Sequence, residues 1–290
     1  MPENKLIDCF PFFNEKELLE FRIKLLYDKV DKFVITEANE THSGLKKKYN
    51  AIDVIQKIDD PQNKIILHKL DYSNCDGYNN FTNYSREGLQ RNVVLELLDQ
   101  FDDDCLFHFS DCDEILNPEH IDWICLIARK NTYPILRLNL AFLNCRADLR
   151  VFNNEDEPID WNSSFVCTKT HLNTYTPTYL RLIPTTFRGI IEDKFGSVTM
   201  TFNGSPVILG WHFSWMGDNT RKYIKLKSYL NSNDFDLKYF QKNMEYYSPK
   251  PGSKDPLNRE NHILRPYDLE LLPDLIFKDK KFKNFFLPNQ

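Results

Sequence analysis

The chain is expected to fold as an α/β domain on a mixed, mostly parallel sheet flanked by helices, and three observations lead there. Its first part runs strand, helix, strand, the order whose natural product is a parallel sheet. An apolar, aromatic run entered through Asp102, Asp103 and Asp104 then ends in Ser110-Asp111-Cys112-Asp113-Glu114, as a buried strand does when it surfaces at a sheet edge. Past residue 130 come short strand-like runs joined by loops rich in Asn, Pro and Thr, which suit an antiparallel extension.

In order, Leu6 to Phe10 reads as the first strand, and Asn14 with Glu17 three residues on as the N-cap pair of a helix. Leu19, Ile23, Leu26 and Val30 recur at helical spacing and mark its core face. Lys32 to Ala38 and Ile65 to Leu70 are the next strands. A helix from Tyr84 to Leu98 carries Leu89, Val93 and Leu97 on one stripe, and Asn117-Pro118-Glu119 starts a short helix over Ile121 to Ala128. Strand-like runs follow at Ile135 to Leu143, Ser164 to Thr168, Tyr179 to Ile183, Ser197 to Phe202 and Pro206 to Trp211, then a helix from Asn219 to Leu230. Pro249-Lys250-Pro251-Gly252 marks a loop and Tyr267 to Phe277 a closing helix.

A chain of 290 residues can bury one sizeable core, and a single domain is expected, with 1–130 and 131–230 as its two halves and 231–290 as a helical and loop extension. The net charge of −5 and the scattered basic residues argue against a nucleic-acid partner. Seven cysteines without a CxxC pair, several in apolar runs, read as reduced core thiols. No apolar run is long enough to span a bilayer, so a soluble, cytoplasmic protein is expected. The sequons at Asn39 and Asn83 are taken as unmodified. Oligomeric state has no signature in the sequence.

The chemistry concentrates in a few places. Asp111 and Asp113, one residue apart at a strand end, can present oxygens to a hard divalent cation. The loop Glu37 to Lys48, with Glu37, Thr41 and Gly44, can hold a nucleotide, although a solvated basic turn has the same composition. Arg86, Gln90 and Arg91 open a helix that leads into the acidic strand, where arginines would meet a diphosphate; the alternative is a surface pair bonded within the helix. His212, between Trp211 and Phe213-Ser214-Trp215, is a candidate ligand or a satisfied core residue, and the helix behind it carries Arg221, Lys222, Lys225 and Lys227, a phosphate contact or a solvated face.

Taken together, these segments resemble glycosyltransferase family 17, the family of the enzyme that adds the bisecting N-acetylglucosamine to N-glycans. The similar segments are Asp8-Cys9-Phe10-Pro11-Phe12-Phe13-Asn14-Glu15, Phe33 to Asn39 with Thr41-His42-Ser43-Gly44, Arg86-Glu87-Gly88-Leu89-Gln90-Arg91-Asn92, Ser110 to Ile115, and Gly210-Trp211-His212-Phe213-Ser214-Trp215, in the family's order. The resemblance implies a GT-A-like fold, a UDP-sugar donor, a divalent metal such as Mn2+ or Mg2+ held through Asp111 and Asp113, a glycan or other hydroxyl acceptor, and inversion at the anomeric carbon. His212 would be a further metal ligand or diphosphate contact. Inversion needs a carboxylate to take the acceptor's proton, and Glu192 and Asp193, in a polar break between strand runs, are the candidates beside an ordinary acidic turn. Unlike the family's Golgi enzymes, this chain is expected to lack an anchor and stem.

Two other readings compete. Metal-dependent phosphoester hydrolysis or nucleotidyl transfer also uses paired aspartates, but normally gathers more carboxylates or histidines into a two-metal cluster. A non-catalytic carbohydrate-binding protein would use the many aromatic side chains for stacking and leave Asp111 and Asp113 without a role.

Overall fold

The computed structural model describes residues 5–130, 135–182, 197–199, 201–202, 205–228, 248–254, 259 and 261–288. Its strands are, in chain order, β1 (Leu6–Phe12), β2 (Lys32–Ala38), β3 (Ile65–Leu70), β4 (Leu106–Phe109), β5 (Glu114–Leu116), β6 (Ile135–Arg137), β7 (Asn139–Asn144) and β8 (Leu149–Phe152). There follow β9 (Asp160–Trp161), β10 (Phe165–Thr168), β11 (Ser197–Thr199), β12 (Thr201–Phe202), β13 (Ser205–Pro206), β14 (Ile208–Ser214) and β15 (Ile263–Pro266). The helices used below are α1 (Lys16–Leu26), α2 (Ile52–Ile55), α3 (Asn83–Asn92), α4 (Ile121–Lys130), α5 (Lys169–Leu172), α6 (Pro177–Leu182) and α7 (Asn219–Ser228).

One sheet has the order β11-β6-β10-β4-β1-β2-β3, and another has the order β15-β8-β7-β14-β5 with β9 beside β7. The strands β4, β1, β2 and β3 run parallel, while β10 enters antiparallel to both β4 and β6. This is the expected α/β architecture with a mixed, mostly parallel sheet. Only the acidic turn separates β4 in the first sheet from β5 in the second, so that turn is the joint between them. Both sheets draw strands from either side of residue 130. No helix among the described residues is long and apolar enough to cross a membrane. All seven cysteines are free, as their scatter through apolar runs suggests.

Side-chain alternation along β1 sets the two core faces. Leu6, Phe10 and Phe12 pack with Leu19 and Ile23 of α1, whereas Ile7 and Cys9 pack on the other face with Leu97, Leu98 and Phe107. Position 8 therefore lies on the face toward α1, where an aspartate is exceptional. Its partner is Arg22 of α1, whose Nε and Nη2 meet the two carboxylate oxygens at 2.8 and 2.6 Å with both side chains fully buried. The same guanidinium donates to Ser110 Oγ and to the carbonyls of Asp111, Cys112 and Glu114 at 2.6, 2.8, 3.4 and 2.9 Å, and lies over the Phe10 ring at 4.1 Å. One buried cation thus fixes the course of the acidic turn.

Several expectations need correcting. Asn14 and Glu17 do not cap α1. Glu15 stands at the N-cap position, its carboxylate accepting the Phe13 and Asn14 amides, and Glu17 pairs with Arg221. The helix expected from Tyr84 to Leu98 is α3, opened by a reciprocal Thr82–Ser85 capping box and followed by a 3-10 stretch over Val93–Gln100 where β-branched Val93 and Val94 begin. Tyr179 to Leu182 is helical within α6, begun by Pro177, and Ile183 lies outside the described residues. The closing helix over Tyr267 to Phe277 is broken at Pro273 into a 3-10 turn, Leu269–Leu271, and the short helix Leu275–Lys278, with a further helix at Lys280–Phe286.

The Arg22–Asp8 pair makes a stability prediction. Burial alone would raise the Asp8 pKa, but Arg22 and His108 outweigh it and hold the carboxyl at about 2. A carboxyl depressed on folding stabilises fully above its ordinary value of 3.8 and loses that contribution as pH falls through about 2. Urea unfolding of Arg22→Met at neutral pH is expected to show a loss of about 3 to 5 kcal/mol, because it strands a buried carboxylate. Asp8→Asn should flatten the acid limb of the stability curve. Wild-type stability in Arg22→Met would remove the staple from this account.

Candidate active site

The carboxyl ends of β1, β2 and β4 open on one cavity of about 270 Å3, at the edge where parallel α/β sheets bind ligands. Pro11, Phe12 and Phe13 at the end of β1, Glu40, Thr41 and His42 after β2, and Asp111, Cys112 and Asp113 after β4 form one side. The other side comes from the second sheet with Phe142, Trp161 and His212, from Trp215 beyond it and Lys225 of α7, and from Arg181 of α6, which packs on α3.

The joining of the two sheets brings these sides together. β14 runs antiparallel to β5 with His212 opposite Glu114, and the Phe213 amide donates to the Asp113 carbonyl at 2.8 Å. The approach requires Gly210, since a Cβ there would lie 2.2 Å from the Ile115 carbonyl oxygen. After β14, Trp215 and Gly217 take left-handed backbone at φ 58° and 89°, turning the chain into α7. A left-handed tryptophan is costly and marks a position held by its surroundings. α7 then sets Lys225 Nζ 2.6 Å from Asp113 Oδ2.

Every carboxylate of the turn has a cationic partner. Asp111 is held by Arg91 at 3.0 Å and by Arg181 at 2.7 Å; Glu114 accepts from Arg181 at 2.8 Å and from the Trp161 indole at 2.6 Å. Burial would raise the pKa of Asp111, but Arg181 and Arg91 hold it below the usual carboxylate range. Asp113 is likewise pushed up by burial and held down by Lys225 and His212. Arg181 is itself seated by buried Arg137, which donates to the Leu180 and Arg181 carbonyls at 2.9 Å each.

Asp111, Asp113, His212, Arg91, Gln90 and Thr41 are thus brought to or against the cavity. Asp113, however, is 5 % exposed and belongs to the interior more than to a rim. His212 is both a packed and a cavity-facing residue: its ring stacks on Phe142, its partner across β7, and on Trp161, with centroids 5.1 and 4.3 Å apart. Its Nε2 lies 3.6 Å from Asp113 Oδ1, and its buried Nδ1 has no partner. Gln90 donates to the Phe12 and Thr36 carbonyls, tying α3 to the ends of β1 and β2.

Other candidates lie elsewhere. Glu37 is fully buried, its oxygens taken by Lys47 and by the amides of Asn50 and Ala51, so it anchors the loop after β2 from beneath. Arg86 pairs with Glu40, and Gly44 forms the left-handed turn beside it at φ 84°. Lys222 is buried on the core side of α7, 3.4 Å from Asn219 Oδ1, and one turn later Lys225 takes the place at the cavity. Glu192 and Asp193 lie outside the described residues.

The residues at the cavity suit a divalent metal of one kind. Among the described residues no three His, Cys, Asp or Glu side chains gather into a cage that could hold an ion unaided. Magnesium-type sites commonly use one or two carboxylates and complete the shell with substrate phosphates and water. Asp111, Asp113 and His212, whose Nδ1 has no partner, match that shared arrangement, and a two-metal hydrolytic cluster is not formed among the described residues.

Sequence reasoning passed over Arg181 and Trp161, gave Glu114 no role of its own, and did not separate Lys225 from the other cations of its helix. Thr176-Pro177 signals the start of a helix that would have set Arg181 one turn in. The four-residue spacing of Lys222 to Leu226 marks a buried stripe, which leaves Lys225 beside it for the cavity. Trp161 lies on a two-residue strand with no sequence signature.

A search of curated proteins finds no match. Among solved structures, S. aureus TarS 1-349 is similar at 14 % identity and a TM-score of 0.36 over 63 % of this chain and 52 % of that one, so the chain spans about half the length of that match. The galactosyltransferase LgtC in complex with donor and acceptor sugar analogues gives 9 % identity and a TM-score of 0.34 over 61 % of this chain and 62 % of that one. Likeness at that level adds nothing to the topology described above. The family assignment rests on sequence, for the model of glycosyltransferase family 17 matches residues 1–145, which include β1, β2, α3 and the acidic turn. The chain belongs to glycosyltransferase family 17.

Proposed function

We propose that this glycosyltransferase takes a sugar, N-acetylglucosamine, from a UDP-sugar to a hydroxyl of a glycan, requires Mn2+ or Mg2+, and inverts the anomeric carbon. The observation that carries the reading is the convergence of Asp111 and Asp113 with Arg91, Arg181 and Lys225 at a cavity on the carboxyl edge of the sheet. Carboxylates and cations in one place suit a substrate that is itself a metal ion and a diphosphate.

Asp111 and Asp113 would hold the metal, with His212 as a nitrogen donor, and the ion would neutralise charge on the departing diphosphate. Arg91, Arg181 and Lys225 stand beside the same carboxylates and would act on the diphosphate oxygens. Thr41 and Gln90, on the wall formed by the β1 and β2 ends, are the nucleotide-side contacts. The proton of the acceptor hydroxyl must leave on the face opposite the diphosphate, and Glu192 or Asp193 is proposed as the base that takes it.

Incubation with UDP-N-acetylglucosamine and Mn2+ should release UDP, and chelation should stop it. Asp113→Ala should cut the rate on the order of a hundredfold or more. Release of UMP with sugar phosphate would instead make the protein a phosphoesterase, and binding without product would make it a carbohydrate-binding protein.

His212→Ala tests the two roles of the imidazole. Because the ring packs between Phe142 and Trp161, the variant should lose about 2 to 4 kcal/mol of stability. It should also need roughly tenfold to a hundredfold more metal for half-maximal rate. A stability loss with unaltered metal requirement would leave His212 as a packing residue alone.

A further inference from the structure

Four negative side chains, Asp111, Asp113, Glu114 and Glu87, meet three positive ones, Arg91, Arg181 and Lys225, with Arg91 shared between Asp111 and Glu87 at 3.0 Å each. A free divalent cation entering this nearly balanced, largely buried cluster meets carboxylates that already have partners, and would leave the cluster with an excess of positive charge. A diphosphate entering alone would leave it uncompensated in the opposite sense. The two together nearly cancel. Two buried polar atoms stand beside the cluster with no partner, His212 Nδ1 and Arg91 Nη1, although both side chains are more than nine-tenths buried. Unpaired buried polar groups are rare and commonly answer to a ligand.

We propose that Arg181 and Lys225 are counter-ions that change partners. They sit on Asp111 and Asp113 and exclude free metal. When a nucleoside diphosphate arrives with its metal, they transfer to the phosphate oxygens while the carboxylates take the ion. This rests on the metal and diphosphate reading above and adds to it an obligatory coupling: each ligand makes the site for the other. The exchange breaks no covalent bond and moves no proton, because the cations stay protonated and the carboxylates ionised throughout. Lys225 suits the exchange, since it comes from a helix behind a strained turn and holds Asp113 through a single flexible ammonium. Arg181, with contacts to two carboxylates and a fixed backbone, supplies the rigid half.

The test is the binding of Mn2+, followed by loss of its free paramagnetic signal, with and without UDP, in wild type, Lys225→Met and Lys225→Arg. Wild type should bind Mn2+ weakly alone, with UDP and Mn2+ tightening each other by the same factor, on the order of tenfold to a hundredfold. Lys225→Met should bind Mn2+ alone more tightly than wild type and lose most of the coupling, while Lys225→Arg should keep it. If Lys225→Met does not gain affinity for Mn2+ alone while wild type still couples Mn2+ to UDP, the exchange is wrong and the metal and diphosphate reading stands. If wild type shows no coupling and Asp113→Asn changes neither ligand, that reading fails and the exchange with it. Absence of coupling in wild type overturns the exchange even where a variant does not fold.

Discussion

The structure depends on one buried ion pair. Arg22 reaches from α1 to Asp8 in β1 and, with its remaining donors, takes Ser110 Oγ and three carbonyls of the acidic turn. A turn with two exposed-type residues at the end of a strand would ordinarily sample many conformations. Here its carbonyls have a fixed donor, so its carboxylates leave the joint between the sheets in a set direction. The cost of burying a charged pair is offset only because nearly every donor of the guanidinium finds an acceptor. What the pair contributes beyond stability is the placement of the turn.

From that turn the rest of the site follows in steps. The Asp113 carbonyl accepts the Phe213 amide, which registers β14 against β5. Gly210 permits the close approach, and the left-handed turn at Trp215 directs α7 toward the acids. On the far side Arg137 fixes the end of α6 and with it Arg181. A second network grows from the same aspartate. Asp8 bonds His108, whose other nitrogen meets Ser164 Oγ, each at 2.8 Å. An acid, imidazole and hydroxyl in that order resemble a hydrolase triad. All three are fully buried and none lines the cavity, and burial lowers the pKa of His108. They tie β1, β4 and the approach to β10 together and serve no nucleophile.

The parallel half of the fold was legible because local pattern and tertiary role agree there. β2 and β3 have the bounds their apolar runs suggest, and the Asp-x-Asp turn stands at the sheet edge where ligand sites form. The second half was less legible, since its strands are short and its ends are set by partners far away in sequence; Tyr179 to Leu182 looked like strand although Pro177 had already begun a helix. Arg22 carried no signal of its own, because an arginine on an amphipathic helix looks like a solvated residue. The clue lay instead in Asp8, a charge inside an apolar strand that must have a partner. The candidates Glu37, Arg86, Gly44 and Lys222 share a reason for standing apart from the cavity. Composition finds a polar loop or a basic helix, but only the packed chain decides which polar group faces inward to support it and which faces the ligand.

The central claim is that the two carboxylates of the turn and the cations on them form one metal and diphosphate site. A crystal structure of the protein with UDP and Mn2+, with the metal located by its anomalous scattering, tests this most directly. The account predicts the manganese peak at Asp111 and Asp113 beside the diphosphate, with Lys225 Nζ moved from the carboxylate to a phosphate oxygen. A nucleotide bound away from the acidic turn, or a manganese peak elsewhere while Asp111 and Asp113 keep their pairs with Arg91, Arg181 and Lys225, would contradict it.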